Sequence, residues 1–166
     1  MSDRIYDSRA IANYLISRTP GGLDALQVMK LTYICHGFML GSSGRPLIED
    51  DVEAWKLGPV VRKVYGHLPG GPNPIVGRLP SYNHTTDLED GEKAIVDSVL
   101  ANYGQLSGLT LSSLTHRPGS PWERTWTTYG KNAVIPQALI ASHYANILSE
   151  YKASREAGKT YAVTAL

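Results

Sequence analysis

Apolar side chains recur along this chain with two different periods, and together they predict a mainly α protein carrying one small antiparallel ribbon. Over residues 8–18, Ala10, Ile11, Tyr14 and Leu15 fall at helical spacing behind a candidate cap at Asp7 or Ser8. Thr19-Pro20-Gly21-Gly22 ends that pattern. A second helix is expected over about 24–40. Leu23, Leu26, Met29, Leu31, Ile34, Cys35, Phe38 and Met39 cover more than half its circumference, so it should be the central buried helix. Gly41-Ser42-Ser43-Gly44 is expected to stop it.

The period then shortens. A hairpin is predicted over about 45–55, with Arg45-Pro46-Leu47-Ile48 as one strand, Glu49-Asp50-Asp51 as the turn and Val52-Glu53-Ala54-Trp55 as the other strand. Val52 and Ala54 share one face, and Glu53 takes the opposite one. Gly58-Pro59 reads as a helix start, with Pro59 in the first position, Val60, Val61 and Val64 inward, and Arg62 and Lys63 turned away. Residues 66–86 carry Gly and Pro clusters and no period. A loop of that length is expected to be functional, mobile, or the place where a partner docks.

Helical spacing returns afterwards. Asp87 or Asp90 caps a segment through Tyr103, with Ala94, Ile95, Val99 and Leu100 inward. A short helix over about 107–115 carries Leu109, Leu111 and Leu114. Ser120 as cap and Pro121 as first residue open one or two turns from Trp122 to Thr127. The last helix is expected from Pro136 to about Lys152, with Leu139, Ile140, Tyr144, Ile147, Leu148 and Tyr151 inward. Residues 1–152 then form one compact domain, and 153–166 a flexible tail.

Composition narrows the class of protein. With 166 residues, 42% hydrophobic and 19% charged, the chain has enough apolar matter for one real core. A net charge of +1 implies no general attraction to nucleic acid or anionic membrane. A single cysteine excludes an internal disulfide framework and points to a reducing compartment. No apolar run suits a membrane span, and the polar start MSDRIYDSR is no signal peptide. A cytoplasmic protein without a membrane partner is expected.

Candidate chemistry is sparse. Cys35 and His36 are adjacent on a helix and therefore point about 100° apart, so they form no nucleophile–base pair. His36, His67, His84, His116 and His143 show no metal-ligand spacing. No phosphate loop, dinucleotide fingerprint or nucleophile elbow occurs, so neither metal nor cofactor is expected. Glu49-Asp50-Asp51 reads as a solvated turn. The corner made by Thr115-His116 and Ser120-Pro121-Trp122 has two readings. In one, His116 bonds helix-end carbonyls while Trp122 fills the edge of the core. In the other, the corner packs beside Trp55 and Gly58-Pro59 to make a recognition face. Trp55, Arg62, Arg117 and Trp122 are residue types that carry interface energy, and Lys56, Tyr65 and His116 complete the candidate contact set. An enzyme using His116 with Thr115, Ser120 or Glu123 is the rival.

Four segments in order carry a resemblance: Met29-Lys30-Leu31-Thr32-Tyr33, Gly44-Arg45-Pro46-Leu47, Glu53-Ala54-Trp55-Lys56-Leu57-Gly58-Pro59-Val60-Val61, and Leu114-Thr115-His116 through Ser120-Pro121-Trp122. Over about residues 8–150 the chain resembles the Panacea domain, the SocA/GepA-like family of antitoxins and prophage-associated proteins. The resemblance implies an antitoxin of a type II toxin–antitoxin pair that binds a cognate toxin directly. In one branch of that family the antitoxin is instead an adaptor that hands its toxin to an ATP-dependent protease. It implies a non-enzymatic module of stand-alone form, with Lys30, Leu31, Tyr33, Gly58, Pro59, Thr115, Ser120 and Pro121 holding the fold. A phage or prophage regulator that binds a host factor would use the same kind of interface.

Overall fold

The computed structural model describes residues 4–80 and 88–158. Seven helices and a two-stranded antiparallel sheet appear in them: α1 (Ser8–Ser17), α2 (Ala25–Ser43), β1 (Val52–Trp55), β2 (Gly58–Val61), α3 (Arg62–Tyr65), α4 (Asp90–Tyr103), α5 (Gly108–Thr115), α6 (Pro121–Tyr129) and α7 (Gln137–Glu156). The fold is mainly α around a central buried helix, as the periodicity predicts. Asp90 does not cap α4 but is its first residue, behind Glu89, which occupies the cap position without a side-chain bond. Asp87, the other expected cap, lies outside the described residues, as do His84 and 159–166. Within the expected tail, α7 continues through Glu156.

Helix α2 is the axis of the molecule. Asp24 and Gln27 close a reciprocal capping box at its start, and Gly44 ends it in the left-handed conformation at φ 72°. Every residue from Val28 to Gly37 is buried. Gly41 does not stop the helix. It lies inside it, one turn after Gly37, and both glycines face Tyr144 of α7. A Cβ on Gly41 would come within 2.6 Å of the Tyr144 carbonyl carbon and 2.7 Å of the Ala145 nitrogen. The two helices therefore touch backbone to backbone. Tyr144 fills the space beside them, edge-on to Tyr33 at 6.0 Å and to Phe38 at 4.9 Å.

The ribbon lies one strand further along than the sequence reading places it. Val52–Trp55 pairs with Gly58–Val61, and Lys56 and Leu57 make the two-residue connection. Pro59 is thus a strand residue opposite Ala54, and the short helix starts at Arg62. Leu47 and Ile48 pair instead with Tyr6, in parallel: Tyr6 N–H donates to the Leu47 carbonyl at 2.9 Å, and Glu49 N–H to the Tyr6 carbonyl at 2.9 Å. Strand β1 also has a second neighbour. Ala54 N–H donates to the Ala133 carbonyl at 2.8 Å, and Ile135 N–H to the Val52 carbonyl at 2.7 Å. Asn132, at φ 62°, also donates its N–H to the Ala54 carbonyl, so residues 132 and 133 both face residue 54 in a bulge. β1 is hydrogen-bonded on both edges.

Two further expectations change. The loop after Tyr65 is fastened between residues 73 and 79. Ala25 N–H bonds the Pro74 carbonyl at 2.9 Å, Val76 N–H bonds the Leu23 carbonyl at 2.9 Å, and the Asn13 carboxamide bonds Leu79 through both its oxygen and its nitrogen. Val76 and Leu79 are buried. The acidic turn is not simply solvated either. Asp50 accepts from Ser8 N–H at 2.9 Å, and Lys63, rather than turning away, reaches Asp50 at 2.9 Å, Glu49 at 3.2 Å and Asp7 at 3.4 Å.

Asp7 caps α1 and pairs with Arg9 at 2.6 Å. Hydrogen bonding from Arg9 holds its carboxyl at about 2, against partial burial, and Lys63 adds to the shift. A carboxyl lowered in the fold stabilises above its unfolded value of 3.8 and loses that contribution as pH falls toward about 2. Asp7→Ala is therefore expected to cost about 1–2 kcal/mol at neutral pH. In urea titrations the difference from the unsubstituted protein should shrink as the pH is lowered through that interval.

Candidate protein-binding face

The turn of the ribbon is anchored from beneath. Lys30, 1% exposed in the middle of α2, donates from Nζ to the carbonyls of Pro59 at 2.9 Å and Leu57 at 3.2 Å. Ser112 Oγ–H of α5 donates to the same Leu57 carbonyl at 2.8 Å. Gly58, at φ 114°, lets the chain pass over the amine, because a Cβ there would meet Nζ at 2.9 Å. Met29 contributes as well, its sulfur accepting from Val61 N–H at 3.3 Å. Burial lowers the Lys30 pKa to about 7.

The histidine–tryptophan corner meets this ribbon, as the second sequence reading requires. Ser120 caps α6 by accepting from Glu123 N–H at 3.2 Å, with Pro121 in the first turn. That cap aims Trp122 at the end of β1, where its Nε1–H donates to the Trp55 carbonyl at 2.6 Å. Trp126 stacks on Trp122 at 5.3 Å, and His116 meets Trp122 edge-on at 5.3 Å. His116 Nδ1–H donates to the Ser112 carbonyl one turn back. The imidazole thus closes the helix end, as in the first sequence reading, and the corner abuts the ribbon, which is the packing the second one requires.

On the outward side of the ribbon stand Glu53 and Trp55, with Val52 and Ala54 buried on the other side. Arg62 pairs through Nε with Glu53 at 2.9 Å and places its guanidinium over the Trp55 ring, 5.8 Å from the centroid. Tyr65 packs edge-on to Trp55 at 4.8 Å and is 52% exposed. Lys56 and Leu57 are exposed at the turn, Leu57 at 67%. Trp55, Lys56, Arg62 and Tyr65 therefore form one continuous patch, with Trp122 and His116 supporting it from behind. Arg117 lies within electrostatic reach of His143 of α7, whose pKa is lowered first by burial and then by that guanidinium.

Two of the hydroxyls that the enzymatic rival would use are engaged elsewhere. Thr115 Oγ1–H is spent on the Leu111 carbonyl at 2.9 Å, and Ser120 Oγ serves as the cap of α6, so neither hydroxyl bonds His116. An apolar groove of about 310 Å³ lies between α2, α4 and α7, lined by Phe38, Ile95, Val99, Tyr103, Ile147 and Tyr151. A cavity of about 210 Å³ beside β1 is lined by His36, Asp50, Asp51 and Gln137. There the His36 Nδ1 accepts from Leu47 N–H at 3.3 Å, and burial, opposed by Asp50, pushes its pKa down to about 4. Cys35 is buried on the same helix, and burial pushes its thiol up. No group of three or more metal-ligating side chains occurs among the described residues, and no helix there is long and apolar enough to cross a membrane.

Sequence reasoning took Lys30 and Gly58 as fold-holding by resemblance alone. It missed Met29, Ser112 and the Asp50–Lys63 contact. The lysine was detectable, since one cation in the middle of an otherwise apolar helix needs acceptors aimed at it.

The site is thus a helical domain that supports an outward ribbon of aromatic and basic side chains. The family described as "Antitoxin SocA-like, Panacea domain" matches residues 28–123, a span that contains α2, both strands and the corner through Glu123. The chain is also 32% identical to "Antitoxin SocA" of Caulobacter vibrioides (strain NA1000 / CB15N) over 133 residues, covering 70% of this chain and 69% of that protein. No solved structure matches it. The chain belongs to the SocA-like antitoxin, Panacea domain family.

Proposed function

We propose that this protein is the antitoxin of a type II toxin–antitoxin pair, a cytoplasmic binding module that performs no reaction and neutralises its toxin by direct contact. Membership of the SocA-like antitoxin family carries this reading. The patch of Trp55, Lys56, Arg62 and Tyr65 is the contact surface. Large amphipathic rings and an arginine anchor interfaces at small entropic cost, and a standard interface of roughly 1,600 Å² extends well beyond them onto the surrounding polar surface. Trp122, Ser112 and Lys30 keep the patch in place without touching the partner.

The test is co-expression with the protein encoded by the adjacent gene. Wild-type chain should relieve growth arrest and co-purify with that protein. The double variant Trp55→Ala, Arg62→Glu should remain helical by circular dichroism yet lose both properties. A folded double variant that still protects would remove this face from the interface. Wild-type chain that neither binds nor protects would remove the antitoxin reading itself. Following toxin abundance in the same cultures separates occlusion, in which the toxin persists, from delivery to an ATP-dependent protease, in which it disappears.

A further inference from the structure

Two side chains that touch on the outward side of the ribbon, Arg62 and Trp55, have unused hydrogen-bonding capacity. The first is the Arg62 guanidinium. Its Nε is held by Glu53 at 2.9 Å, and its plane rests over the Trp55 ring, so its direction is fixed although the side chain is 66% exposed. The Nη end, with four N–H groups, has no acceptor among the described residues. A guanidinium tethered at Nε and open at Nη is a preformed fork for a planar two-oxygen anion. The second is the Trp55 indole. Its Nε1 is buried and lacks any hydrogen-bond partner among the described residues, although the Trp55 carbonyl is fully engaged by Trp122. A buried indole N–H without an acceptor costs free energy that a bound partner would recover. Tyr65, half-exposed, packs edge-on against the same indole.

From these observations we infer that the Trp55–Arg62 patch recognises a carboxylate side chain, Asp or Glu, on an apolar segment of the partner protein. The carboxylate takes the Arg62 fork, and a neighbouring backbone or side-chain oxygen of the same segment accepts from Trp55 Nε1. The acidic partner of Arg62 in the free protein, Glu53, stays in place at Nε. Leu57 and Tyr65 supply apolar area on either side, and Lys56 adds a second positive charge at the turn. A nucleic acid backbone would need a longer run of cations than this patch and the net charge of +1 provide. The inference deepens the antitoxin reading by naming the chemistry of the toxin segment that the face accepts.

The test uses two capped tripeptides, Leu-Asp-Phe and Leu-Asn-Phe, titrated into the ¹⁵N-labelled full chain while the side-chain resonances of Arg62 Nε–H and Trp55 Nε1–H are followed. The aspartate peptide should shift both resonances saturably and bind about tenfold more tightly than the asparagine peptide. Arg62→Lys keeps the charge but loses the fork, so it should erase most of that preference. Arg62 is largely exposed, so this variant is expected to remain folded. Equal responses to the two peptides, an absence of response to both included, would overturn the inference, as would a preference unchanged in Arg62→Lys. A single-stranded oligonucleotide that moved both resonances at lower concentration than the aspartate peptide would replace it with phosphate recognition. These outcomes do not depend on the toxin, so the peptide result and the co-expression result fail separately.

Discussion

Gly41→Val should lower the stability of the protein by about 3 kcal/mol or more, and Gly41→Ala by a smaller part of the same effect. The reason is geometric. At this point on α2 a side chain would enter the backbone of α7, at 2.6 Å from the Tyr144 carbonyl carbon and 2.7 Å from the Ala145 nitrogen. Backbone atoms inside a packed helix do not yield like the end of a long side chain, so the helices must separate and Tyr144, fully buried against Tyr33, must move with them. Gly70→Ala is the control. It sits in open, exposed chain with nothing within 4 Å of its Cβ position, and its substitution should change stability by less than about 0.5 kcal/mol. Urea denaturation of the three variants checks both halves of the expectation. A fully stable Gly41→Val protein would mean that α2 and α7 do not touch here.

The second large effect concerns Lys30. Lys30→Ala removes the donor to the Pro59 carbonyl and leaves a void in the centre of the molecule, which together should cost about 3–5 kcal/mol. Lys30→Met refills the volume and should cost less. The pH dependence separates the amine from its bulk. Burial holds the Lys30 pKa at about 7 in the fold, against 10.5 as the ordinary value. Between those two values the unfolded chain keeps a proton that the folded chain has given up, so stability rises with pH across that window. Below about pH 7 both states are protonated, and the burial penalty is felt in full. The stability of the unsubstituted protein minus that of Lys30→Met should therefore climb between pH 7 and 10 at up to about 1.4 kcal/mol per pH unit. A flat difference curve would show that the ammonium stays charged in its site.

Helix boundaries were legible where a cap residue marked them. Asp7, Asp24, Gly44 and Ser120-Pro121 all act where local chemistry says they should. The ribbon was misplaced because Gly58-Pro59 satisfies two local rules. Proline suits the first turn of a helix, and it also suits a strand where no ladder hydrogen bond needs its nitrogen. What decides between them is Lys30, twenty-nine residues earlier, whose amine takes the Pro59 carbonyl. Gly41 was read as a helix stop because glycine is a poor helix former, yet its spacing from Gly37 puts both on one face, the mark of a close helix crossing. The meeting of Trp55 with Trp122 follows from no periodicity at all. It is made by a hydrogen bond across sixty-seven residues, and only the tertiary arrangement supplies it.

The bond from Ala54 to Ala133 also has a temporal consequence. Strand β1 leaves the ribosome about eighty residues before the segment that closes its second edge, an interval of roughly four to sixteen seconds at ordinary elongation rates. Through that interval a nascent chain can curl its hairpin but cannot complete the bulged third row or seat the indole of α6 behind it. If the proposed face is the binding surface, it is completed late in translation, and truncated products ending before Ile135 should be inert.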